Sequence, residues 1–127
     1  MPRTYPTASG GSATEFYINP AKAREAFAGD LSDQQAALIA ATHRPVAELA
    51  FSEPNGPPAW KRLPSWAVVA TADKAAGTDV TRSMAQRAGA KITEVDGSHV
   101  IMVSQQEAVT NVILQAAAAV AAGPVGV

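Results

Sequence analysis

"SWAVVATAD", Ser65 to Asp73, is a near-continuous apolar run of strand length, the pattern expected where both faces of a parallel sheet are covered. Downstream, "GTDVTRSMAQRAGA" (Gly77 to Ala90) reads as a helix closed by Gly89, and "KITEV" (Lys91 to Val95) alternates like a second strand. Ser104 and Glu107 have the spacing of a capping box, which predicts the start of a long helix over "QQEAVTNVILQAAAAVA". The order from Ser65 onward is therefore strand, helix, strand, helix, and a right-handed crossover makes the two strands parallel. A strand as apolar as "AVVAT" needs neighbours on both edges, yet the sequence offers only "KITEV". The sheet is expected to be incomplete.

Upstream of Ser65 the pattern is helical. Pro20 suits a first helical position, "PAKAREAFAG" follows with strong helix formers, and Gly29 is a stop. Ser32 with Gln35 forms a capping box that opens "SDQQAALIAATHR", and Pro45 permits a third helical piece, "PVAELAFSE". "EPNGPPAWKRLP" is so rich in Pro and Gly that it reads as a connection. The first dozen or so residues, "MPRTYPTASGGSATE", read as loose.

Several function classes are excluded by composition. Ten Lys and Arg against eleven Asp and Glu leave a formal charge of -1, which offers no basic excess to hold a phosphate backbone, so no nucleic-acid partner is expected. There is no cysteine and there are only two histidines, so neither a disulfide nor a metal centre is expected. The N-terminus lacks the basic start and apolar run of a signal peptide, and "VILQAAAAVAAGPVGV" falls short of the ~20 apolar residues that cross a bilayer. The expectation is a cytoplasmic protein with no membrane partner, whose C-terminal helix is buried and whose tail is frayed.

In an α/β sheet, reactive groups gather at the carboxyl ends of the strands. Asp73 stands just past the first strand and His99 just past the second. An Asp accepting the imidazole N–H fixes the tautomer and frees the other nitrogen as a general base. Here the sequence resembles a family. "PSWAVVATADKA" followed by "AQRAGAKITEVDGSHVIMVSQQEAV" is similar to the C-terminal part of the α/β-hydrolases, in particular small esterase-like members, and "YINPAKAREAFAGDLSDQQAALIAATHRPVAELAF" resembles their helical cap. The resemblance implies a partial α/β-hydrolase fold: a flexible segment over 1–18, a helical cap-like region over 19–58, and a β-α-β-α part of the core with a short parallel sheet over 59–127. It also implies ester or acyl hydrolysis without a cofactor, with Asp73 as the acid, His99 as the base and a small apolar ester as substrate. The family's G-x-S-x-G nucleophile motif does not occur, and "SGGS" at Ser9 to Ser12 lacks the spacing. The expectation is a truncated hydrolase, inactive or nearly so alone. Its alternative is a binding or assembly module, either a homo-oligomer or the partner of a complementing N-terminal half. Lys74 and Gly77 depart from the family's acid loop, where relatives often place Arg and Pro.

Other residues read more plainly. Asp79 fits the first turn of a helix and Asp96 a turn. His43 ends a helix beside Arg44 and suits the surface. Ser98, adjacent to His99 on a turn, is poorly placed to pass it a proton. Trp60 and Trp66 flank the connection into the first strand, where packing under the cap is the default and lining an acyl pocket the alternative.

Overall fold

The structure, a computed structural model, describes residues 1–123; the frayed tail expected beyond Gly123 lies outside them. The apolar run forms strand β4 (Trp66–Ala70), which is followed by helix α3 (Thr78–Arg87) and strand β5 (Lys91–Val95). β4 and β5 pair in parallel, with Trp66 opposite Lys91 and Ala70 opposite Val95. Pairing continues just beyond the strands, where the amides of Thr71 and Ala72 donate to the carbonyls of Val95 and Gly97 at 3.0 Å. That extension brings the two strand ends, and the loops they feed, side by side. Arg82 ties α3 to β5 by donating to both carboxylate oxygens of Glu94 at 2.6 and 3.2 Å, and it also reaches Asp79 at 2.5 Å. Asp79 is thereby absorbed in the first turn of α3.

Residues 1–18, expected to be flexible, instead form an ordered hairpin. Strand β1 (Pro2–Pro6) pairs antiparallel with β2 (Ser12–Phe16) through a turn closed by Thr7 and Gly11. The prolines do no harm because β1 is an edge strand, where a missing N–H breaks no ladder. Between β2 and its other partner, the two-residue strand β3 (Val46–Ala47), the chain inserts helices α1 (Pro20–Phe27) and α2 (Asp33–Thr42). The region before Ser65 is thus a helix pair set into a three-stranded sheet. It is not helical only, as the sequence predicted, and the third helical piece is β3 followed by a single 3₁₀ turn, Glu48–Phe51.

Local chemistry explains both helix starts. Asn19 caps α1 by accepting from the Ala21 amide, with Pro20 at the first helical position. Ser32 and Gln35 make the reciprocal capping box of α2. The box expected at Ser104 and Glu107 does not form. Ser104 closes a short helix α4 (Ile101–Ser104), its hydroxyl is buried and faces Asp30, not Glu107, and α5 (Gln106–Ala121) starts after a break at Gln105.

The core that matters for function joins the helix pair to the loop after β5. Ala28, Leu31, Ala36 and Val100 form it, with Phe27, Ile39 and Val103 packed against it. Elsewhere burial is thin. Of α5 only Val112 is buried, whereas Ile113, Leu114 and Val120 stand about three-fifths exposed, so the expectation of a buried C-terminal helix is corrected. The accessible surface is 9073 Å², against about 6,300 Å² for a folded monomer of this size. Among the described residues β4 and β5 have no further strand neighbour, and no helix is long and apolar enough to cross a membrane.

Candidate functional site

At the end of β4 the chain turns sharply, and Asp73 organises the turn. Its Oδ1 accepts from the amides of Ala75 and Ala76, both at 2.9 Å, the local pattern that makes Asp a turn residue. The loop then enters α3 through Gly77, whose φ of +87° suits glycine and is closed to proline. The Thr78 hydroxyl closes the loop by donating to the Ala70 carbonyl at 2.8 Å. With Oδ1 engaged by backbone, Oδ2 points at the loop after β5 and lies 2.9 Å from His99 Nδ1.

The two side chains sit in different environments. The Asp73 side chain is 7% exposed and that of His99 34%. Burial pushes the Asp73 carboxyl up, but the hydrogen bond to His99 and the amides of Ala76 and Ala75 outweigh it and hold the group below its ordinary value. Asp73 is thus an acceptor that stays ionised in a nearly dry position. A donor proton on Nδ1 leaves Nε2 of a neutral imidazole unprotonated, which is the state of a general base.

Phe27 at the end of α1 packs against the His99 ring, with centroids 4.4 Å apart and the planes tilted by 57°. The same imidazole borders an open cleft of about 470 Å³ whose sides include Ile18, Val46, Phe51 and Ala75. His43 is part of the same lining. It packs edge-on against Phe27 at 5.5 Å, and its Nδ1 is buried without a partner. The surface position expected for His43 is therefore corrected: the helix pair folds its C-terminal end inward. Trp60 and Trp66 do not line this cleft. Trp60 is 37% exposed beside Lys61, and Trp66 lies in a separate cleft with Val68, Val109 and Val112 against α5. The side chains that bound the space beside His99 come instead from Ile18 just after β2, the helix pair, β3, the 3₁₀ turn and the loop after β4.

The rival groups are occupied. Asp96 accepts from the Thr71 hydroxyl at 2.9 Å and joins the two strand ends. Ser98 is 5% exposed, and its hydroxyl is bonded to Asp30. Asp30 itself carries no signal in the sequence beyond that of a turn residue after a helix, because its partner is 68 positions away. Among the described residues no group of three His, Cys, Asp or Glu side chains is placed to hold a metal ion.

A family model described as "Alpha/beta hydrolase family" matches residues 1–112. No curated protein matches the chain.

Proposed function

This chain belongs to the alpha/beta hydrolase family, and from that premise we propose that it carries the acid and base of an acyl-transfer site. In this reading His99 is the general base and Asp73 orients it, accepts its Nδ1 proton in a hydrogen bond and stabilises the imidazolium formed when Nε2 takes a proton. The substrate class is a small carboxylic ester whose apolar acyl part lodges in the cleft bordered by Phe27, Phe51 and Val46. The observation that carries the reading is the 2.9 Å contact between His99 and a buried, ionised Asp73 beside that cleft.

A His and an Asp do not complete an acyl transfer. The sequence contains no G-x-S-x-G elbow, and without a nucleophile and its oxyanion donors, the latter typically worth about 3 to 4 kcal/mol, the expected rate of this chain alone is near background. The nucleophile and its oxyanion donors then have to be supplied from outside these 127 residues. The test is hydrolysis of a short-chain chromogenic ester by the chain and by its His99→Ala variant, with a serine-directed phosphonate label run in parallel. No His99-dependent rate and no label fit the proposal; a His99-dependent rate with a labelled serine places a nucleophile within this chain and overturns the near-background expectation.

A second reading is favoured by two observations, the exposed apolar side chains of α5 and the absence, among the described residues, of a further strand beside β4 and β5. It is a non-catalytic module that self-associates or pairs with a complementing half. Sedimentation across a range of concentrations separates this reading from a monomeric acid–base carrier.

A further inference from the structure

The corner between α1 and α2 grips the His99 loop at consecutive points. Phe27 packs against the imidazole, and Ala28 and Leu31 pack with Val100. Between them, Asp30 accepts from the Ser98 amide at 2.9 Å through Oδ2 and from the Ser98 hydroxyl through Oδ1. Both carboxylate oxygens of Asp30 therefore accept from the residue that precedes the base, and the Ser104 hydroxyl acts on the same carboxylate. Gly97 makes the approach possible, since a Cβ there would stand 2.9 Å from Asp30 Oδ2. Burial pushes the Asp30 carboxyl up, yet the bonds it accepts hold it below its ordinary value, so the acceptor is charged at neutral pH and its bonds are of the stronger, charge-assisted kind.

The start of this loop is also held at the Asp96 carbonyl by Gln105 Nε2 at 3.1 Å and at the Gly97 carbonyl by the Ala72 amide at 3.0 Å; Asp30 holds the next residue, Ser98, from the helix pair. Asp73 fixes the imidazole from the β4 side, but it holds only the ring. If the loop swings, the ring leaves Asp73 whatever the strength of their hydrogen bond. We propose that Asp30 is a positioning residue for His99: its carboxylate clamps Ser98 and thereby sets the loop at the height where Nδ1 meets Asp73 and the imidazole borders the cleft. The clamp couples the helix pair to the base, so that a displacement of the α1–α2 corner is felt at the imidazole. The proposal rests on the pairing of His99 with Asp73 described above, and its readout is the imidazole itself, independent of any hydrolysis.

The experiment is NMR of the full chain labelled with ¹⁵N-histidine, following the exchange of the His99 Nδ1 proton with water. In the unmodified chain this proton exchanges slowly because Asp73 holds it. In Asp30→Ala its exchange accelerates on the order of tenfold or more, the rise in open-loop population expected when hydrogen bonds to a charged group are lost, while amide protection in α2 stays unchanged. Asp30→Asn retains the shape and part of the accepting capacity and gives an intermediate rate; it also serves where Asp30→Ala fails to fold. Ser98→Ala, which keeps the amide bond, likewise falls between. A proton lost in Asp73→Asn but exchanging at the original rate in both Asp30 variants overturns the role of Asp30. A proton that is insensitive to Asp73→Asn overturns the pairing itself and the clamp with it.

Discussion

Gly97→Ala is the substitution whose consequence can be worked most closely. The new methyl would lie 2.9 Å from Asp30 Oδ2 and 3.3 Å from Cδ1 and Cγ1 of Ile101. The Ile101 contacts need only a few tenths of an ångström, within reach of a side-chain adjustment. The carboxylate needs more. To reach an ordinary contact distance of 3.4 Å it must retreat by about half an ångström, which stretches the 2.9 Å bond from the Ser98 amide past the range of well-formed hydrogen bonds, about 2.7 to 3.2 Å. A bond to a charged group contributes about 1.5 to 3 kcal/mol, and overpacking costs a similar amount. Because Asp30 is reached by water and recovers part of its solvation, the expected loss is about 2 kcal/mol in urea-induced unfolding, with an unchanged dependence on denaturant. If the cost arises at Asp30, it is conditional on that carboxylate. In an Asp30→Ala background Gly97→Ala should cost less than about 1 kcal/mol, a coupling of at least about 1 kcal/mol across the double-mutant cycle. Equal costs in the two backgrounds would refute the reasoning and locate the strain at Ile101.

Further outcomes follow from the same contacts. Asp73 and Asp30 both have carboxyls held below their ordinary values, so each contributes stability that is present above the unfolded-state value of about 4 and lost as the pH falls through the folded-state value. The urea midpoint should drop below about pH 4, and less so in Asp73→Asn and Asp30→Asn; equal acid sensitivity in all three proteins would count against the assignment. Ser32→Ala, which removes the hydroxyl that accepts from the Gln35 amide and keeps the backbone half of the α2 capping box, should cost about 1 kcal/mol by the same unfolding measurement. Gly77→Ala introduces a side chain at φ +87° and should cost about 1 to 2 kcal/mol; its methyl meets only Val80 at 3.6 Å, so a neutral result would show that the acid loop relaxes freely.

The parallel pair was legible because its signals are local. A five-residue apolar strand such as "WAVVA" can be read from its own composition, and a charged residue immediately after it falls at the strand end whatever the rest of the chain does. Asp73 and His99 lie close behind β4 and β5 in sequence and are legible as candidates in that way, their roles being what the family resemblance implies. The hairpin was not, because Pro2, Pro6, Gly10 and Gly11 have the composition of a loop, and only pairing with β2 makes β1 an edge where proline is tolerated. The parts of the site supplied from far away in sequence were hidden for the same reason. Asp30 acquires its role from Ser98, and His43 turns inward because Phe27 and the side of the cleft receive it. For Trp60 and Trp66 only chemistry and nearness to β4 are legible in the sequence, and strand alternation and the position of α5 send Trp66 to another face.

The most direct measurement of the account is the tautomer of His99 in the full chain, read from a long-range ¹H–¹⁵N spectrum at neutral pH. If Asp73 orients a general base, the neutral imidazole carries its proton on Nδ1 and leaves Nε2 unprotonated, and Asp73→Asn disturbs that preference. A neutral ring protonated on Nε2, in the unmodified chain, would contradict the account, because the nitrogen assigned to take a proton would already hold one.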